Sequence, residues 1–190
     1  MYWIHALTIA SALLTGCAFS PQQANLQPTV NIISSSEGQG IIVAIRVVDE
    51  RPSKSLGRRG DGFGAAAEIT SSVDLEAIIK DQISSALTAR GFIINSTNVA
   101  SDTQLTVEIR MLQYSTFQNS WTGGVQVQGT LKASASKAGN NYEKMYRYDR
   151  EESVIIVPTA KMNEEWLNAT LSEVLNKLLS DENLIKFLAS

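Results

Sequence analysis

One cysteine and one histidine supply all the thiol and imidazole of this 190-residue chain, and both fall within its first seventeen residues. The cysteine closes the run Leu14-Thr15-Gly16-Cys17, behind an uncharged, mainly apolar stretch from Trp3 to Leu14 interrupted by His5. That stretch has the length of a signal-peptide core and is too short to span a bilayer. Small residues set directly before a cysteine have the form of a lipobox, where the chain is cut between Gly16 and Cys17 and the thiol takes up lipid. Residues 1–16 are therefore expected to be a signal peptide and Cys17 the lipidated end of the mature chain. The first sixteen residues hold no Lys or Arg. Signal peptides usually open with positive charge, so the export signal is weak or the start lies upstream.

Cleavage there would discard His5 and turn Cys17 into an anchor. No imidazole or free thiol would remain, which sets aside Ser-His-Asp and Cys-His nucleophilic catalysis. His- or Cys-ligated zinc and internal disulfides go with them, and no cofactor or metal is expected. Carboxylates are the remaining acid or base candidates: Glu143, Asp149, Glu151 and Glu152 on or beyond one strand, and Glu164-Glu165 at a helix start. Hydrolysis by paired carboxylates needs two acids facing across a cleft, one of them in a desolvating pocket. These read instead as solvated charges. A carboxylate hydrolase ranks third among the functional readings, and an enzyme is not expected.

Two groups could bind without reacting. Arg51, Lys54, Arg58 and Arg59 stand within nine residues of a glycine-rich stretch. Arginine pairs bidentately with phosphate or carboxylate, so a mobile loop of this kind suits an anionic ligand; a solvated surface loop is the alternative. The spacing is not that of a phosphate-binding P-loop. Asp49, two residues before Arg51, reads as a local ion pair pinning the start of the loop. The second group is aromatic: Tyr114, Phe117, Trp121, Tyr142, Tyr146 and Tyr148. Tyr146 and Tyr148 share one sheet face. Exposed, this set would form a platform for a glycan or a protein; packed, it would lie under helices.

Several elements must position these groups. Residues 18–36 carry no charge before Glu37 and are rich in Gln, Asn, Ser and Pro, so 17–36 is expected to be the lipidated cysteine and a flexible linker. Residues 30–33 offer the alternative of a short edge strand. The β-branched run 41–48 predicts a strand buried on both faces. A loop to about residue 65 follows, then a helix over 73–90 capped by Ser71 or Ser72 and closed by Arg90-Gly91. Its apolar face is Leu75, Ile78, Ile79, Ile83, Ala86 and Leu87. Strict alternation over 103–114 and 125–136 predicts antiparallel strands with Leu105, Val107, Ile109, Met111, Val125, Val127, Leu131, Ala133 and Ala135 inward. Gly139-Asn140-Asn141 turns the chain into a third strand, 142–156. A helix over 162–179 and a short final turn over 182–188 close the chain. The order β-α-β-β-β-α predicts one α+β domain over 37–190: two layers, a mostly antiparallel sheet of about four strands, and two long helices on one face.

This layout resembles the YajG-like lipoproteins of Gram-negative bacteria. The lipobox carries the resemblance, with the strand running into Asp49-Glu50-Arg51, the helix end Leu87-Thr88-Ala89-Arg90-Gly91-Phe92 and the C-terminal Ile185-Lys186-Phe187-Leu188. It implies an envelope location and a fold, and it transfers no catalytic residue, since that family has none assigned. The 44% apolar content suffices for a core, and the net charge of −3 without a basic patch gives no reason to expect nucleic acid. Ala18, in place of Asp after the cysteine, implies the outer membrane by the sorting rule of enteric bacteria. The expected function is that of an outer-membrane-anchored periplasmic lipoprotein, held to the membrane by its lipid. It would bind another envelope component as an accessory or assembly subunit, through its aromatic face or an open strand edge. The alternative is a small binding module for glycan, peptidoglycan fragment or lipid that uses the Arg-rich loop.

Overall fold

The computed structural model describes residues 20–60, 66–95, 101–118 and 123–190; Gly16, Cys17 and Trp121 lie outside them. The elements run β1 (Gln22–Ala24), β2 (Ile42–Asp49), β3 (Gly57–Arg59), β4 (Ala67–Ser71), α1 (Leu75–Ala89), β5 (Ile93–Asn95), β6 (Thr103–Gln118), β7 (Gly123–Lys137), β8 (Asn140–Val154), α2 (Ala160–Leu179) and α3 (Glu182–Ala189).

The class is α+β, but the expected four-stranded, mostly antiparallel sheet is wrong. The eight strands of the described residues form one curled, mixed sheet. Long antiparallel ladders join β6 to β7 and β7 to β8. The other edge of β6 serves two branches. Its first half pairs in parallel with β2, which pairs in parallel with β5; its second half meets β3, which continues to β4 and β1. A bulge between Ile109 and Met111 marks the division. One extra residue there bends the strand and re-aims its side chains. Met111, expected inward, is turned aside, and Leu112 and Tyr114 take the buried positions. Among the described residues three helices accompany this sheet: the two long ones expected and, over the short final turn, the eight-residue α3.

Strand β2 is buried on one face only, contrary to its apolar run. Val43, Ile45 and Val47 point into the core, while Ile42 and Arg46 are exposed. The core lies between this inner face and the helices. Leu75, Ile79, Ile83, Ala86 and Leu87 of α1 meet it on one side, and Leu167, Leu171, Val174, Leu175 and Leu178 of α2 on the other. Helix α2 sits so close to β7 that a Cβ at Gly129 would press on Thr170 and Val174.

Helix α1 is capped by Asp74, whose Oδ1 accepts from the Glu76 and Ala77 amides, and not by Ser71 or Ser72. Its far end is a Schellman turn. Gly91 takes φ +85°, its N–H donates to Thr88 O, and the Phe92 N–H donates to Leu87 O. Arg90, the cap residue itself, is buried; it donates to Glu37 Oε2 at 2.7 Å and to the Leu179 carbonyl at the end of α2 at 3.2 Å. The Ala-Arg-Gly-Phe stretch is thus a joint between both long helices and the chain before β2.

Much of the segment expected as a linker is packed. From Gln22 to Val30, even-numbered residues are buried and odd-numbered ones exposed. The odd-numbered amides of Asn25, Gln27, Thr29 and Asn31 donate to side chains of Glu164, Asn168, Ser172 and Asn176 along α2. The match is geometric: two extended residues advance ~6.6 Å and four helical residues ~6 Å, so every second amide meets every fourth helix residue. Such pairing is not visible in composition, which is why the segment reads as a spacer.

Candidate functional site

At the division of the sheet the chain leaves β2 and returns as β3 after seven intervening residues. Asp49 and Arg51 close the gap as a bidentate pair, Arg51 Nε to Oδ1 at 2.9 Å and Nη2 to Oδ2 at 2.8 Å. Lys54 adds a contact to Asp49 Oδ2 at 3.0 Å while remaining exposed. Burial would raise the Asp49 pKa, but hydrogen bonds from Arg51 and Lys54 outweigh it and hold the carboxyl at about 2. The ion-pair reading of these two residues therefore holds.

Beside this pair, a cleft of about 320 Å³ is lined by Arg51, Pro52, Ser55, Arg58, Arg110 and Met111, among others. The bulge that splits the sheet also brings Arg110 to this cleft. Arg58 is exposed and donates to the Ala66 carbonyl. Arg59 does not join it. Residues 57–59 form a strand, so adjacent side chains leave on opposite faces, and Arg59 is buried while Arg58 meets solvent. The close approach of β3 to β6 at Gly57, where a Cβ would collide with the Tyr114 carbonyl, fixes that alternation. Inside, the Arg59 Nε and the Tyr114 hydroxyl are buried without hydrogen-bond partners among the described residues. Burial pushes the Tyr114 phenol up, against the opposing pull of the Arg59 charge. Of the four cations read from the sequence, Arg51 and Arg58 line one cleft, Lys54 reinforces its wall and Arg59 belongs to the interior.

Tyr146 and Tyr148 do share the inner face, and that face lies under the helices. Tyr146 is 4% exposed. Its hydroxyl, the Tyr142 hydroxyl and the Lys144 ammonium each donate to Asp181 Oδ2 at 2.7 Å. Asp181 Oδ1 accepts the Asn183 amide as the cap of α3. Burial works to raise the Asp181 pKa, and the donors from Lys144, Tyr146 and Tyr142 overcome it, holding the carboxyl well below the ordinary range. This hub joins β8 to the C-terminal helix. The sequence does not reveal it, because Asp181 stands there only in the gap between the helix over 162–179 and the final turn over 182–188. Tyr148 is half-buried beneath Lys177, whose ammonium lies 5.2 Å from its ring centre and donates to the Arg147 carbonyl at 2.9 Å.

Among the described residues, every carboxylate whose pKa departs from its ordinary value moves down: Glu37, Asp49, Glu143 and Asp181. A general acid at neutral pH needs the opposite shift. Among the described residues, no group of three or more His, Cys, Asp or Glu side chains is placed to hold a metal ion. No described helix is long and apolar enough to cross a membrane.

A further surface becomes visible only in the fold. Among the described residues β8 pairs with β7 alone, which leaves its other edge open over fifteen residues. Met145 is 57% exposed on it, and the chain continues into Ile155 and Ile156, exposed at 89% and 70%.

A family model described as uncharacterized lipoprotein matches residues 28–189. The chain belongs to this family. Membership implies a membrane-anchored place in the cell envelope and agrees with the YajG-like resemblance. No curated protein matches the chain. In structure the lipoprotein is similar to protein XCC0632 from Xanthomonas campestris, at TM-score 0.53 and 11% identity over 88% of this chain and 94% of that one. That likeness extends to the fold alone. A minor lipoprotein from Acinetobacter baumannii gives TM-score 0.42 and 12% identity over 84% of this chain and 93% of that one.

Proposed function

We propose that this lipoprotein is an outer-membrane-anchored, non-catalytic assembly subunit that joins an envelope complex through the open edge of β8. The observation that carries the reading is that edge. Among the described residues no strand pairs with this edge of the fifteen-residue β8, where Lys177 caps only the Arg147 carbonyl, and the strand runs on into exposed Ile155-Ile156. An edge of this kind accepts another strand by backbone hydrogen bonding, while natural monomers usually shorten, cover or bulge such edges. Lipid on Cys17 would supply the membrane contact, and Ala18 after it favours the outer membrane. The lowered carboxylate pKa values and the loss of His5 with the signal peptide support a role without catalysis.

A photo-crosslinking residue at Met145 or Arg147 in intact cells tests the docking. The expected result is a discrete adduct from these positions and none from Glu76 on α1. Equal or absent crosslinking from both surfaces would sink the edge as the docking site.

A second reading rests on the cleft beside Arg51, Arg58 and Arg110, whose shape and charge suit a phosphate or carboxylate group. Thermal stabilisation by inorganic phosphate that disappears in Arg58→Ala and Arg110→Ala would support it. Stabilisation unchanged in both variants would end it.

A further inference from the structure

We infer that the strand received by β8 is that of a second copy of this chain, antiparallel about a two-fold axis at Tyr148. The inference rests on the assembly reading above and names its partner.

The geometry of the edge limits the registers. Lys177 reaches the Arg147 carbonyl from outside the sheet, so odd-numbered residues of β8 direct their N–H and C=O groups to the open side. Alternate residues of a strand share that direction, and hydrogen-bonded pairs of an antiparallel ladder must match two such residues. A symmetric pairing therefore centres on a residue and not between two.

Charge then selects among the centres. With the axis at Tyr148, Arg147 faces Asp149 of the copy and Asp149 faces its Arg147, on the solvent face of the sheet. On the other face Lys144 meets Glu152, again twice by symmetry. Tyr148 meets itself, Tyr142 meets Val154, and no like charges are opposed. Shifting the axis breaks this pattern. At Tyr146 it opposes Glu143 to Asp149. At Arg147 it sets Arg147 on itself and Glu143 on Glu151. At Asp149 it sets Asp149 on itself, and at Arg150 it opposes Asp149 to Glu151 and Arg150 to itself. A centre at Met145 avoids repulsion but offers only the Glu143–Arg147 contacts, over a shorter overlap. Directly opposed charges on a sheet stabilise when opposite and destabilise when alike, so the Tyr148 register is the favoured one. Such a contact is isologous and closes on itself, as a two-fold dimer must.

One group stands in the way. The Lys177 ammonium occupies the Arg147 carbonyl that the Asp149 amide of the copy would need. Lys177 is exposed and can swing to solvent, so it acts as a guard that makes the pairing reversible.

The test uses the full-length chain, purified in detergent with its native N-terminus, in sedimentation velocity. The wild type is expected to dimerise. Arg147→Asp alone, and Asp149→Arg alone, should each weaken the dimer at least about tenfold, because two attractions become two repulsions. The combined R147D/D149R chain should recover the wild-type constant to within about threefold. Failure of the exchange to rescue, or rescue by E143R/R147E instead, would overturn the Tyr148 register. Should a charge variant fold poorly, Tyr148→Cys gives a second reading. Non-hydrogen-bonded partners bring their Cα atoms to ~4.5 Å, within disulfide range, so mild oxidation should link that variant to itself and leave Lys144→Cys unlinked. A wild-type chain monomeric at ~100 μM that still crosslinks from β8 to a different protein in cells would end the self-pairing and keep the assembly reading. No crosslink from β8 to any protein would end both.

Discussion

Replacing Asp181 by Ala should cost about 3 kcal/mol of stability, although the side chain lies at a break between helices where substitution looks harmless. Loss of the α3 cap accounts for ~1 kcal/mol. The buried Tyr146 hydroxyl, 2.7 Å from Asp181 in the native chain, would then keep only the long contact to the Tyr142 hydroxyl at 3.5 Å, at ~1–3 kcal/mol. Tyr142 and Lys144 are exposed enough to turn to water and add little. Urea unfolding of the full chain followed by tryptophan fluorescence or circular dichroism would show the midpoint falling by ~1–2 M. Tyr146→Phe removes the orphaned hydroxyl, so the double variant should be less destabilised than the sum of the singles by ~1–2 kcal/mol. A loss below ~1 kcal/mol for Asp181→Ala, or strict additivity with Tyr146→Phe, would refute the hub. Tyr146 would then be free to serve as the partner-binding aromatic that the sequence suggested.

Arg58→Ala should change stability by less than ~0.5 kcal/mol, whereas Arg59→Ala should cost ~1–3 kcal/mol through lost packing; equal effects in urea titrations would contradict the assignment of faces on β3. Leu26→Ala should cost ~2–5 kcal/mol, because Leu26 is 1% exposed beside α2, and a neutral result would restore the spacer reading of that segment. Acid should unfold the chain through its low carboxylates. The Asp49 pKa falls from 3.8 to about 2 on folding, so its contribution of ~2 kcal/mol is complete above pH 3.8 and is lost as pH falls through 2. Asp49→Asn should flatten stability against pH across that window, and an unchanged acid limb would show that the pair carries no such weight.

The sequence revealed the long elements because each repeats its period many times. Two helices and three alternating strands lie within a few residues of their predicted limits, and every inward residue named on β7 is buried. The strands it concealed are short: β1, β3 and β5 have three residues each and β4 five, too few for a period to emerge. Their pairing is tertiary, set by the bulge between Ile109 and Met111 and by partners far along the chain. The candidate site suffered from the same cause. Arg58 and Arg59 look alike as neighbours in a glycine-rich run, and only the strand through them sends one out and the other in. In the sequence Arg110 is one more polar position in the alternation over 103–114, because nothing local marks the bulge that carries it to the cleft. Composition likewise could not distinguish a chain that wanders in water from one that lays every second amide on a helix.

That last contrast alters how the domain would ride on its membrane. With lipid on Cys17, at most four residues, Ala18 to Pro21, would separate the anchor from Gln22, which donates to the Ala160 carbonyl at the start of α2. Fully stretched, that leash reaches about 18 Å. The end of the domain holding Ala160 must then stay within that radius of the headgroups. Ile155 and Ile156 lie only a few residues upstream of it, so such a tether would set heading as well as height and would hold the tail of β8 near the bilayer surface. Two molecules anchored side by side would meet with their orientations already restricted.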